Sequence, residues 1–281
     1  MALHARKRKY ARLFEDADVK RWYDNTPRGS GVTADVYLRR LGNFCSYHKI
    51  TPKELVEMGS KERFNLLLDF VSEMEKKVHT GSYIQSTVKA VKSWLVHNRI
   101  ELRGKIKISE TQDTPTLKDE RVPTKEELRK IFLSGDKKAR MASALVAHSG
   151  LRVKTLGNYQ GDDGLRIRDV PEIEVEGDSV DFKQTPILLV VREELSKAGH
   201  QYFTFLSEEG CEYLKDYLEE RIREGEELTV DSPLITPRLK MKPFIRAVNI
   251  GDIIRGAIRG AGFSWRPYVL RSYFDHTTNA G

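Results

Sequence analysis

Ile187-Leu188-Leu189-Val190-Val191, introduced by Pro186, and Tyr202-Phe203-Thr204-Phe205-Leu206 flank the segment Ser196-Lys197-Ala198-Gly199-His200. Two short runs of β-branched and aromatic residues around a Gly-containing turn predict an antiparallel β-hairpin. Nearly all the rest of the chain repeats its apolar residues at helical spacing. The hairpin therefore decides the fold class: mainly α with a small β-hairpin or sheet, the strands lying in the C-terminal part.

Downstream of the hairpin, Cys211, Leu214, Leu218 and Ile222 mark a helix over 208–224. Further helices are expected over 248–260 and after Pro267. Upstream, Val122-Pro123-Thr124-Lys125-Glu126-Glu127 reads as a capping box, with Thr124 as N-cap and Glu127 three residues on. Leu128, Ile131 and Phe132 are the apolar face of that helix, and another follows over 137–148.

The first hundred residues read as helices alone. They are expected over 15–25, 31–48 (Val36, Leu38, Leu41, Phe44 and Cys45 inward), 60–77 (Phe64, Leu67, Leu68, Phe70 and Val71 inward) and 82–98. Thr51-Pro52-Lys53-Glu54 is a second capping box. In the last of these helices Ile84, Val88, Val91 and Leu95 form one buried stripe. Ser82, Gln85, Ser86, Lys89, Lys92 and Ser93 lie on other faces, with no acid between Ser82 and Ile100. Small polar groups and amines let a helix approach phosphates closely; an ordinary solvated face is the alternative.

The charge is uneven. Of 48 Lys and Arg and 41 Asp and Glu, a net +7, residues 1–109 hold 22 basic and 12 acidic residues, a net +10, and the rest is net −3. Such asymmetry points to a polyanion. Arg6, Lys7, Arg8 and Lys9 begin a basic tail with no acid in the first twelve residues. The polar stretch 109–122 reads as a linker, so the expected organisation is a tail (1–12), a helical domain (13–108), the linker and a second domain (123–281).

Several classes drop out. No apolar run is long enough for a membrane helix, and no apolar core follows the basic N-terminus as a secretory signal requires. Cys45 and Cys211 make neither a disulfide framework nor a metal cluster and read as core residues of a cytoplasmic protein. There is no Walker loop, no His-Glu-x-x-His and no Gly-x-Ser-x-Gly. Asp162 and Asp163 are expected in a solvated loop. What remains is a set of cations: Arg152 after Ser149-Gly150-Leu151, Lys197 at the hairpin turn, and Arg271 inside the last helix.

In this order the three resemble the tyrosine recombinase (phage integrase) family. Its first box is Thr/Ser-Gly-Leu-Arg, here Ser149-Gly150-Leu151-Arg152. Its second is a lysine at a β-hairpin turn, here Lys197. Its third is His-x-Leu-Arg, here Tyr268-Val269-Leu270-Arg271 with Phe274 and His276 following. Tyrosine in place of that histidine is similar to archaeal integrases. The N-terminal helices resemble the family's core-binding domain, so the resemblance spans nearly the whole chain. It implies an N-terminal helical core-binding domain, a C-terminal α+β catalytic domain and attack of a tyrosine on a DNA phosphodiester, giving a 3′-phosphotyrosyl link. Arg152 and Arg271 would grip the phosphate oxygens through planar forks, and Lys197 would protonate the leaving 5′-oxygen. Tyr268 takes the histidine's place; a phenol donates a hydrogen bond but is a poor base. Thr155 stands where the family often has an acid bracing the first arginine.

The resemblance implies double-stranded DNA as partner, a tetramer on DNA with a monomer in isolation, and no metal or cofactor. It places the nucleophilic tyrosine beyond the third box, and the sequence runs only ten residues past Arg271, to Gly281. Tyr273, on the box-three helix itself, reads as a packing residue. As written, the chain is expected to clamp DNA without cleaving it, as a truncated integrase. The alternatives are a non-catalytic DNA-binding relative acting as a regulator and an unrelated helical DNA-binding protein.

Overall fold

A computed structural model describes residues 10–26, 31–109, 120–238 and 241–279, the side chains of Gly31 and of 276–279 excepted. The basic tail with Arg6, Lys7, Arg8 and Lys9, most of the expected linker and the side chain of His276 lie outside the described residues. The chain divides into two compact units, Met1–Lys118 and Asp119–Gly281. The architecture is mainly helical, with two two-stranded antiparallel sheets among the described residues.

The first unit comprises a 3-10 turn at Ala11–Glu15 and helices α1 (Ala17–Asn25), α2 (Gly31–His48), α3 (Pro52–Glu57), α4 (Ser60–Lys76) and α5 (Gly81–His97). Asp16 caps α1, accepting from the amides of Asp18 and Val19 at 2.8 and 3.4 Å. The Thr51 capping box forms: the Thr51 amide donates to Glu54 Oε2 at 2.6 Å and the Glu54 amide to Thr51 Oγ1 at 3.1 Å. The expected stripe of α5 is buried along its length and packs with Leu38, Leu41 and Phe44 of α2, Leu67 and Phe70 of α4, and Val19 and Trp22 of α1.

On α4 the inward face is rotated from the expected one. Phe64 and Leu68 are half-buried, while Met74 and Arg63 are buried. Arg63 goes inside because α3 ends there with orphaned carbonyls. Its guanidinium donates to Leu55 O and Val56 O, both at 2.9 Å, and to Met58 O. Val36 of α2 is also only half-buried.

The second unit has α6 (Lys125–Leu133), α7 (Lys137–Ser149), α8 (Val153–Leu156), β1 (Ile173–Glu176), β2 (Ser179–Phe182), β3 (Ile187–Val191), β4 (Tyr202–Leu206), α9 (Glu208–Arg223), α10 (Ala247–Gly260) and α11 (Tyr268–Asn279). The Thr124–Glu127 capping box starts α6. Helix α7 is central. Its Met-Ala-Ser-Ala-Leu-Val-Ala run, 141–147, is buried, and α6, α9, α10, α11 and β4 all pack against it. Small alanines let several elements approach one helix closely.

Strands β3 and β4 pair antiparallel, Ile187 opposite Leu206 and Val191 opposite Tyr202. The connection is longer than a tight turn: Arg192–Gln201, with a 3-10 turn at Glu193–Leu195 before Lys197. The β1–β2 hairpin is not expected from the sequence. Its turn is Gly177-Asp178, with Gly177 at φ +58, the left-handed backbone such turns require. Ile-Glu-Val-Glu carries too little apolar signal to announce a strand.

Two further expectations are corrected. Ile222 of α9 is half-buried, and its neighbour Arg221 is the buried residue. Asp163 is not a solvated loop residue: it pairs with Arg192 at 2.9 Å and Arg166 at 3.3 Å. Burial disfavours its charge, but those guanidinium hydrogen bonds prevail and hold its carboxyl below the usual range. Cys45 and Cys211 are free and buried, and burial pushes the Cys45 thiol up to about 12.

Candidate functional site

The Ser149-Gly150-Leu151-Arg152 segment is the sharp exit from α7. Gly150 ends the helix at φ +61, and a Cβ there would fall on the ring of Phe274. Leu151 is buried, and Arg152 then serves as the N-terminal flank of α8, with Thr155 N donating to Arg152 O at 2.8 Å. Thr155, where an acid would brace the arginine, is itself buried.

Helix α11 brings the third segment to the same place. Arg266 anchors the start of α11 through a forked pair with Glu120, Nη2 to Oε2 at 2.6 Å. One turn in, Arg271 Nε donates to the carbonyl of Gly150 at 2.8 Å, and Phe274 covers Gly150. Arg271 is half-buried, not enclosed, and its partner is this backbone carbonyl. Tyr268, on the exposed side of α11, has its ring centroid 6.0 Å from the Arg271 guanidinium carbon.

Strand β4 supplies the third tie. Thr204 Oγ1 donates to Ser149 O at 2.8 Å, fastening the strand that follows the lysine connection to the end of α7. Lys197 is exposed on that connection. Ser196 Oγ accepts from the Ala198 amide at 3.2 Å, and Gly199 is at φ +69. Lys154, which has no motif of its own to signal it, lies near both Arg152 and Lys197. Burial, and then the positive charges of those two, push its amine below the usual lysine range.

Two groups of cations in this unit differ in their partners. Arg166, Arg192, Arg221 and Arg266 each face a carboxylate. Arg152, Lys154, Lys197 and Arg271 form no ion pair with any described residue, and Arg271 commits only its Nε. Bringing like charges together without a counter-charge is unfavourable, and a bound anion would relieve it. Among the described residues no group of His, Cys, Asp and Glu is arranged to hold a metal. A pocket of about 800 Å³ elsewhere in this unit is lined by Lys138, Tyr217, Arg221, Glu226 and Met241 and includes none of these cations.

Tyr273 has different surroundings. Its ring centroid lies 6.5 Å from that of His148, and burial, then Glu209 and Glu126, push its hydroxyl up.

In the first unit, Gln85, Lys89 and Lys92 share the outward side of α5, with Lys89 Nζ donating to Gln85 Oε1 at 3.2 Å. Ser86 and Ser82 border that side. Ser82 Oγ is 3.3 Å from Thr80 Oγ1, and Ser86 Oγ accepts from Arg40 Nε at 3.4 Å. Ser93 faces inward instead, accepting from Trp22 Nε1 at 3.1 Å. Arg40 of α2 joins this face from another helix, its guanidinium 4.0 Å from the Tyr83 ring centroid. Nothing in the local sequence of α2 signals this, because Arg40 meets α5 only through the α2–α5 packing.

Scanned against known families, the chain matches none, and no curated protein matches it. Among solved structures it is similar to a crystal structure of XerA recombinase, with 20% identity over 94% of this chain and 85% of that one and a TM-score of 0.42. At that identity and TM-score, function has to be read from the residues themselves. No helix among the described residues is long and apolar enough to cross a membrane.

Proposed function

We propose that the chain is a DNA-binding recombinase of the tyrosine recombinase type. The observation that carries this reading is the Arg271–Gly150 contact. It unites the first and third sequence boxes around cations that have no carboxylate partner. In this reading residues 13–108 are a core-binding domain and 123–281 a catalytic domain. The two form a clamp on duplex DNA, with Lys89, Lys92, Gln85, Ser86 and Ser82 facing one stretch of backbone. The basic residues 6–9 add contacts that need no sequence recognition.

At the scissile phosphate, Arg152 and the free end of the Arg271 guanidinium grip the non-bridging oxygens. Charge-assisted forks of this kind strengthen as negative charge builds up in the pentavalent state. Lys197 carries the proton for the leaving 5′-oxygen, and Tyr268 donates a hydrogen bond where the family uses histidine. The attacking tyrosine is neither Tyr268 nor Tyr273. Subunits assemble as a tetramer on DNA, and the archaeal integrases are the branch with the most similar third box.

The test is duplex binding measured across a salt series. Arg152→Ala and Arg271→Ala are each expected to weaken binding and flatten its salt dependence, and wild-type behaviour in both overturns the reading. Tyr268 at the histidine position favours one second reading, a non-catalytic relative that binds DNA as a regulator. A covalent adduct on a nicked suicide duplex excludes that second reading.

A further inference from the structure

Lys154 is the one cation of the cluster that no sequence box contains. In α8 the side chains of Thr155 and Leu156 are buried and Val153 packs against the core, which leaves Lys154 turned outward. It follows Arg152 by two residues, and Thr204 ties β4, the strand that follows the Lys197 connection, to the end of α7. Carboxylates elsewhere in this unit are committed to other arginines: Asp163 and Asp169 to Arg192, and Glu120 to Arg266. Lys154 thus feels the positive charges of Arg152 and Lys197 and is paired with no acid among the described residues. A lysine placed for solubility alone would gain by standing apart from Arg152 and Lys197.

We propose that Lys154 is a third phosphate-contacting side chain of this site, binding the DNA backbone phosphate next to the one held by Arg152 and Arg271. The inference rests on the recombinase reading above. Duplex DNA presents successive phosphates along each strand, so three neighbouring cations, Lys197, Arg152 and Lys154, match its charge pattern better than they match a single small anion. A bound backbone relieves the mutual repulsion of the three. Lys154 thereby contributes to affinity and register on the duplex without reading bases.

The experiment compares full-length Lys154→Gln, Lys154→Arg, Arg152→Ala and Arg271→Ala, with Lys183→Gln as a surface control, on a fluorescently labelled mixed-sequence duplex over a range of KCl. Lys183 lies on another surface, 3.7 Å from Glu174. Removing one phosphate-binding cation lowers the slope of log K against log salt by about 0.9. Lys154→Gln is expected to lower it by that amount, Lys154→Arg to keep the wild-type slope, and Lys183→Gln to change nothing. A wild-type slope in Lys154→Gln, with lowered slopes in the two arginine variants, overturns the inference alone. Unchanged binding in both arginine variants overturns the recombinase reading and takes this inference with it. Lys154 supports no core packing, so its variants should fold as the wild type does, and far-UV circular dichroism verifies this.

Discussion

Arg271 Nε donates to the carbonyl of Gly150 at 2.8 Å, across 121 residues of sequence. The bond fixes one edge of the guanidinium against the backbone at the end of α7 and leaves the other nitrogens free. An arginine held this way loses little further side-chain entropy on gripping a ligand. The geometry depends on Gly150, whose carbonyl is aimed by a left-handed backbone.

Gly150→Ala is therefore expected to disturb fold and site together. A left-handed alanine costs about 1–2 kcal/mol, and its methyl would press on Phe274, adding about 1–3 kcal/mol of overpacking. Urea unfolding should show a loss of roughly 2–5 kcal/mol. Retention of wild-type stability would mean that α11 does not cover Gly150 in solution.

Lys89→Glu with Lys92→Glu is expected to weaken duplex binding broadly across sequences and to flatten its salt slope, because phosphate contacts carry no base information. The outward side of α5 is remote from the α5 core stripe, so the melting temperature should stay close to wild type. Unchanged DNA affinity would place the DNA face elsewhere.

Arg221→Met tests a buried charge. Arg221 is almost fully enclosed, and its guanidinium bonds Glu226 at 2.6 Å and the carbonyls of Pro233 and Leu234 at 2.9 and 3.3 Å. Methionine fills much of the volume but satisfies none of these acceptors. The expected loss is about 3–4 kcal/mol, the lower part of the range for a broken buried pair because Glu226 keeps some solvent. Arg221→Lys should recover only part of it, since a single amine cannot span the fork. Differential scanning calorimetry reads both.

His148 predicts an acid-side loss of stability. Its Nδ1 lies 2.7 Å from Ser207 Oγ, which in turn accepts the Gly210 amide at the start of α9. Burial pushes the imidazole below its usual range, opposed by Glu209. The fold thus favours neutral His148: its contribution is complete above the unfolded value of about 6.5 and declines as pH falls below it. The urea midpoint should drop between pH 7.5 and 5.5 in the wild type, and by less in His148→Gln. Equal drops in both would assign the effect to other groups.

Helix boundaries, both capping boxes and the β3–β4 pair were legible in the sequence because each is set by neighbours within a few residues: Thr124 and Glu127 by their spacing, Ile187–Val191 by its run of β-branched residues. The buried stripe of α5 was legible for the same reason. The rotated face of α4 was not, since Arg63 is drawn inward by the carbonyl ends of α3, a separate element. The β1–β2 hairpin was hidden because three of the four residues of β1 are exposed, Val175 included, and its glutamates weaken the apolar signal.

Of the candidate site, the sequence by itself determined which residues could grip a phosphate: Arg152, Lys197 and Arg271 in their local settings, with Tyr268 beside them. Only the tertiary structure decided which cations face a carboxylate and which do not. Arg166, Arg192 and Arg266 carry the same charge as Arg152, and spacing along the chain does not distinguish them. Carboxylates brought in by folding do, as Glu120 does for Arg266. The same folding set Lys154 beside Arg152 and Lys197 and Arg40 beside Tyr83. Charge pairing acts through space over a few ångströms, and Asp163 is 29 residues from Arg192 and Glu120 146 from Arg266, so only the packed chain reveals those pairs.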